Sequence, residues 1–213
     1  MLSQKEKSEA GMREYEDEAL PLLERFMRVD PNSWAASKHF AEIALRRKEW
    51  DRAAETLKRL QHLCPMDPAS WGGLAGIYLE RGEEELALPQ LIELARIEQN
   101  DPTIPQKVAS IVRRRGELRE AQYWYRQALS IDPSSVDLHQ ALGDVCMQTG
   151  DSEAALREYK TLTELQPTNA KHFEAAALAA HKLGAAQQAE ALARQALKLD
   201  PQSQVRSLVP EKE

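Results

Sequence analysis

Five histidines, His39, His62, His139, His172 and His181, and two cysteines, Cys64 and Cys146, are the residues of this chain best suited to bind a metal or act as a base or nucleophile. Their spacing supports none of these roles. No two histidines stand as HExxH or HxxxH, the separations that turn two imidazoles toward one metal from one helical face. His139 and Cys146 are the nearest such pair on one helix, and seven residues at helical rise leave them ~10.5 Å apart along the axis, too far for a thiol and its base. Both fall in slots that face neighbouring helices, where packing accounts for them. Cys64 stands at a helix end far from Cys146, so a disulfide between them is not expected. WGGLAG, with Gly72, Gly73 and Gly76, lies inside helix-forming sequence and follows no strand, so it does not read as a phosphate loop. The run Glu83–Glu85 opens a helix, where carboxylates suit the positive end of the dipole. Arg46–Lys48 and Arg113–Arg115 are the densest basic runs, but a formal charge of −6 weighs against nucleic acid. These residues predict a non-enzyme, with no catalytic centre, no metal site and no cofactor.

The elements that position these residues are helices. Of 213 residues, 42% are apolar and 29% charged, with only nine glycines; Ala, Leu, Glu, Gln and Arg dominate, which predicts an all-α chain with a continuous core. No apolar run approaches the ~20 residues that span a bilayer, and the charged N-terminus lacks the apolar segment of a signal peptide. With two cysteines the expectation is a reduced, cytoplasmic chain without a membrane span.

The helices repeat. Pro31, Pro65, Pro133, Pro167 and Pro201 fall on one grid of spacing 34; at the missing point, Gln99, the proline is displaced by three to Pro102. Gly82, Gly116, Gly150 and Gly184 lie on the same grid, offset by 17, and Ala19, Ala53, Ala87, Ala121, Ala155 and Ala189 mark it again. Proline is tolerated in a first turn, and glycine supplies the left-handed residue that closes a helix, so each period is a helical hairpin. Leu138, Leu142, Val145 and Cys146 give one apolar side to the first helix of a hairpin, and Ala155, Leu156, Tyr159 and Leu162 give one to the second. Ala41, Ala75, Ala109, Gly143 and Ala177 share one slot, where a small residue lets two axes approach. Tyr125 falls in a packing slot with Tyr159, whereas Tyr123 and Trp124 flank it on the outer side.

Trp71, Leu74, Ala75, Tyr78, Gly82, Ala87 and Leu94, and again Leu142, Gly143, Gly150, Ala155, Tyr159 and Pro167, carry a pattern that resembles the tetratricopeptide repeat. The resemblance covers residues 14–203. It implies a right-handed αα-superhelix, a solenoid of about five and a half hairpins: a half unit at 14–31, then units 32–65, 66–99, 100–133, 134–167 and 168–201, taken together as one domain. Residues 1–13 are a leading segment that could extend the first helix, and 204–213 are a polar tail. Lys48 stands where a turn glycine is expected, Pro105 where the motif often has tryptophan, and Ala176 and Ala180 are small for their slots. Such arrays need polar end caps; neither the first helix, with Leu20, Leu23, Phe26 and Met27, nor the tail provides one, which predicts exposed ends.

In such arrays the first helix of each hairpin lines a concave groove. The resemblance therefore points to Lys38, Glu42, Arg46, Gly72, Gly76, Gln106, Lys107, Ser110, Arg113, Arg114, Gln140, Asp144 and Lys182 as partner-facing residues. The two glycines leave a hollow between basic patches, which suits a protein or peptide with acidic residues. Only Lys38 and Lys107 match the carboxylate clamp by which some family members hold a chaperone tail, so that clamp is not expected. The reading is a non-catalytic scaffold that binds a protein or peptide partner, with no nucleic acid. The alternatives are an accessory region of a larger enzyme or secretion machine, or a homo-oligomer built through the exposed ends.

Overall fold

The computed structural model describes residues 4–210, with side chains from residue 11 onward. Leu2, an apolar residue of the leading segment, and residues 211–213 of the tail lie outside the described residues. Eleven helices are described: α1 Gln4–Val29, α2 Trp34–Arg46, α3 Trp50–Leu63, α4 Pro68–Glu80, α5 Glu84–Ile97, α6 Thr103–Arg114, α7 Leu118–Ile131, α8 Val136–Thr149, α9 Ser152–Leu165, α10 Ala170–Lys182 and α11 Ala186–Leu199, followed by a 3-10 turn at Gln204–Leu208. The described residues contain no strand. The fold is an all-α array of hairpins on the 34-residue grid.

The breakers act as their chemistry dictates. Gly82, Gly116, Gly150 and Gly184 close α4, α6, α8 and α10 at φ of 72°, 81°, 82° and 82°, where a β-carbon is strained. Lys48 takes the same place after α2 at φ 58° without that freedom. At the helix starts, short polar side chains satisfy amides that have no helical partner. Asp67 Oδ1 accepts from Ala69 N–H at 3.2 Å, Asp101 Oδ1 from Thr103 N–H at 2.8 Å, and Asp151 Oδ1 from Ala154 N–H at 3.0 Å.

Packing divides the chain into two compact units, which meet in sequence at Glu98 and Gln99. The division falls at the one grid point that lacks its proline. In the N-terminal unit, α1–α5 enclose a core of Leu20, Phe40, Ile43, Leu57, Leu60, Leu74, Ile77 and Tyr78. α1 packs on α2, and the hairpins α2–α3 and α4–α5 follow. In the C-terminal unit, α6–α7, α8–α9 and α10–α11 are packed hairpins, and α7 and α9 also contact the helix that follows them. Val108, Val112, Leu138, Leu142, Val145 and Leu162 are buried there.

The two ends differ from the expectation of simple exposure. Val205 in the 3-10 turn is 1% exposed and joins Ala177, Ala193 and Ala196, with Phe173, Leu192, Leu208 and Val209 packed around them. Leu208 and Val209 bring the turn's apolar side onto α10 and α11, so this short segment covers the last hairpin without being a helix of full length. At the other end α1 begins at Gln4 and continues through Pro21 to Val29. Leu20, Leu23 and Met27 pack inward, whereas Phe26 does not.

Candidate functional site

The partner-facing residues expected from the sequence lie on the first helices of the hairpins: α2 and α4 in the N-terminal unit, and α6, α8 and α10 in the C-terminal unit. In the N-terminal unit their charges are answered internally. Lys38 Nζ lies 3.4 Å from Asp67 and 5.9 Å from the Trp34 ring centre. Arg46 Nε donates to Glu16 Oε1 of α1 at 2.8 Å, and Glu16 is 4% exposed. Arg46 therefore turns toward α1, where it lines an open cavity of about 410 Å³ with Arg13, Asp17, Arg47 and Lys48. Glu42 stands 3.7 Å from His39. The glycine pair is only half a hollow: a β-carbon at Gly76 would meet nothing within 4 Å, but one at Gly72 would touch Leu94 of α5 at 3.6 Å.

The C-terminal unit brings four polar side chains to one point. Arg113 of α6 lies 4.0 Å from Asp144 of α8. Asp144 Oδ1 accepts from Gln140 Nε2 and from the Tyr159 hydroxyl, both at 2.8 Å. Burial, with the bond to Asp144 second, pushes the Tyr159 phenol far above its ordinary range, so the hydroxyl remains a donor. Ser110 Oγ accepts from Arg114 one turn along α6 at 3.0 Å. Gln106 is half-buried on α6 in the slot that Gln140 occupies on α8, while Lys107 and Lys182 are exposed. The sequence offered Arg113 within a basic run and Asp144 as a separate partner-facing residue; the fold makes them partners.

Two of the titratable residues, Cys146 and His139, are held in place by packing and hydrogen bonds. Cys146 is fully buried, Gln122 Nε2 donates to its Sγ at 3.4 Å, and burial pushes the thiol up to about 11. His139 Nε2 donates to the Pro133 carbonyl at 3.0 Å while Nδ1 faces Glu158 Oε2 at 2.7 Å. Both oxygens accept, so the ring donates to both only when it carries two protons. Trp71, in the same slot two repeats earlier, donates Nε1–H to the Pro65 carbonyl at 2.8 Å. In these two repeats the slot holds a ring donor that ties a helix to the proline turn before it; Ser37, Pro105 and Phe173 stand there in the others. Another recurrence was legible and missed: Asp17–Arg47 at 2.6 Å and Asp51–Arg81 at 2.7 Å are one ion pair repeated at the period of the array. Among the described residues, no three His, Cys, Asp or Glu gather as a metal would need.

These hairpins carry a small residue at each crossing, a left-handed closing turn and an inner row of polar side chains. A model of the tetratricopeptide repeat matches residues 16–72 and 113–182, more than half of the chain. The chain belongs to the tetratricopeptide-repeat family. Among solved structures, the tetratricopeptide protein YrrB, described as having an unusual peptide-binding site, superposes with a TM-score of 0.62 at 14% identity, over 86% of this chain and 94% of that one. MamA does so at 0.59 and 16%, over 84% of this chain and 98% of that one. The Naa15/Naa10 complex bound to HypK-THB gives 0.58 at 19%, over 78% of this chain but 25% of that one. At these identities the likeness is one of fold. No curated protein matches the chain. The glycine at one of its tetratricopeptide crossings has a direct structural cause: a β-carbon at Gly143 would sit 2.5 Å from Tyr159 Cε1.

Proposed function

We propose that the chain is a non-catalytic, cytoplasmic scaffold that binds an extended protein segment along the first helices of its hairpins, chiefly α6 and α8. The observation that carries this reading is the polar row of the C-terminal unit. Gln106 and Gln140 repeat in one slot, and Gln140 is oriented by the Asp144 carboxylate, which Tyr159 also holds. An amide fixed at its nitrogen presents its carbonyl outward, where a main-chain N–H of a partner can donate. Repeated amides of this kind read backbone direction more than side-chain identity. YrrB, a protein of the same fold, is described as having a peptide-binding site, which supports a peptide as the kind of partner.

Acidic groups on the partner are a secondary feature of this reading. Lys38 already faces Asp67 and Arg113 faces Asp144, so an acidic side chain must displace a resident carboxylate to gain either cation. The test is selection of a random peptide library on the protein, followed by fluorescence anisotropy with the selected peptides. Gln140→Ala and Gln106→Ala are each expected to weaken binding about fivefold, the worth of one hydrogen bond. Arg157→Ala on α9, where Arg157 pairs only with Glu153 of its own helix at 2.7 Å, is expected to leave it unchanged. Failure to select any peptide, or peptides indifferent to both glutamines, overturns the proposal.

A further inference from the structure

α1 has two apolar faces, and the N-terminal unit uses one. Glu16, Leu20, Leu23 and Met27 turn toward α2 and α3. Met12, Tyr15, Ala19, Leu22, Phe26 and Val29 form a second stripe, about 100° around the helix by helical geometry; at its edge the Tyr15 hydroxyl lies 2.6 Å from His39 Nε2 of α2 and Ala19 touches the core, but the rest of the row is open. Their spacing alternates three and four residues, the a and d positions of a heptad. Five of these side chains are large and open: Met12 is 50% exposed, Tyr15 49%, Leu22 65%, Phe26 52% and Val29 81%. No other helix of the N-terminal unit carries so continuous an exposed apolar row.

The charges beside the stripe select what fits it. Glu18 and Arg25 occupy successive g positions of that heptad. Among the described residues neither makes an ion pair, although Glu16, Asp17 and Glu24 of the same helix pair with Arg46, Arg47 and Arg52. We propose that the open face of α1 is a homodimer interface, occupied by α1 of a second copy running antiparallel. In that arrangement Met12 packs on the partner's Val29, Tyr15 on the partner's Phe26, and Ala19 on the partner's Leu22, around a two-fold axis. Each such layer is flanked by g positions from both chains, so Glu18 meets the partner's Arg25 and Arg25 meets the partner's Glu18. A parallel arrangement sets Glu18 against Leu23, where it goes unanswered, and Arg25 against Asp30 just past the helix end, so only the antiparallel one answers both charges within the helix. Ala19 at the centre admits a close approach of the two axes. Burying the exposed halves of five large side chains on each copy removes on the order of 1,000 Å² in total, the lower end of a specific interface.

Sedimentation equilibrium on the full chain across a wide concentration range tests this. A monomer–dimer equilibrium is expected, and Leu22→Glu with Phe26→Glu abolishes it while circular dichroism is unchanged. E18R and R25E each place like charges across the axis and weaken the dimer about tenfold. An equimolar mixture of the E18R and R25E chains regains wild-type affinity, because each charge then meets its opposite. A chain that remains monomeric at the highest attainable concentration overturns the proposal. So does a dimer indifferent to L22E/F26E, or one that the E18R and R25E mixture fails to restore.

Discussion

Replacing Gly143 by alanine opposes two effects of known size, so its sign is informative. On helix propensity alone, Gly143→Ala inside α8 would stabilise by about 1 kcal/mol. The structure opposes this. The new β-carbon would lie 2.5 Å from Tyr159 Cε1 and 2.9 Å from its Cδ1 and Cζ. The ring cannot swing away freely, being 4% exposed, with its hydroxyl held on Asp144 at 2.8 Å. Overpacking of this kind costs about 1–3 kcal/mol, and loosening a hydrogen bond to a carboxylate adds about 1–2 kcal/mol. The net expectation is destabilisation by about 1–4 kcal/mol, a fall in Tm of roughly 3–12 °C for a chain of this size. Gly76→Ala is the matched control: nothing lies within 4 Å of the new carbon, so the propensity gain should survive. Leu57 and Leu91 fill the Tyr159 slot opposite Ala41 and Ala75, and Tyr125 fills it opposite Ala109, where Ser110 replaces Asp144 and no carboxylate at that position holds the ring; Tyr159→Leu should therefore turn Gly143→Ala from harmful to neutral or favourable. Urea titrations followed by far-UV circular dichroism on the four-member cycle give the coupling directly. If Gly143→Ala proves as stable as the parent, or Tyr159→Leu leaves its cost intact, the contact does not set the residue at this crossing.

The remaining expectations concern the turn and three titratable or reactive groups. Lys48→Gly should stabilise by about 1 kcal/mol by relieving a side chain held at positive φ, read as a rise in the urea midpoint; no change would mean the turn carries no strain. Cys64 is half-buried and Cys146 is buried, so a thiol reagent should label one cysteine rapidly at neutral pH and the second only on unfolding. Because burial raises the Cys146 thiol from 9.0 to about 11, the unfolded chain loses that proton first, and stability should fall as pH rises through this window, a loss that Cys146→Ala removes from the pH profile. His172 has the opposite sign: burial lowers its pKa below 6.5, so the stability it supports is present above that pH and drains away as pH falls. His172→Leu, the residue at Leu138 one period earlier, should flatten the acid limb of the stability profile.

What was legible in the sequence follows from range of action. Pro133, Gly150 and Asp151 act on their own few bonds, so their positions alone mark helix ends, and a period of 34 makes every hairpin a check on the next. Small crossing residues were legible for the same reason, although the contact of Gly143 with Tyr159 rather than with bare backbone was not. The inner row was misread where a side chain has two candidate partners. Arg113 counts as surplus positive charge along its own helix; only the stacking of α8 beside α6 brings Asp144, 31 residues on, within 4.0 Å of it. The tail was misjudged because its composition is polar, yet Val205, Leu208 and Val209 need only one tight turn to reach the last hairpin.

The same distinction between local and repeated signals explains why α1 matters. Along most of this chain an apolar residue on a second helix has neighbours on both flanks, and its periodicity cannot tell one flank from the other. On α1 the inward face follows Leu20, Leu23 and Met27, while the outward face keeps a strict three-and-four spacing from Met12 to Val29. Solvent exposure alone imposes no such spacing, and internal packing explains only part of it: Tyr15 meets His39 of α2 and Ala19 meets the core, but Met12, Leu22, Phe26 and Val29 stand open. A row that regular on a largely open face, with opposite charges placed where an antiparallel copy answers both and a parallel copy leaves Glu18 unanswered, is specificity beyond its internal use. The charge-swap mixture isolates that specificity from simple stickiness: a merely hydrophobic face would associate regardless of which of Glu18 and Arg25 is reversed.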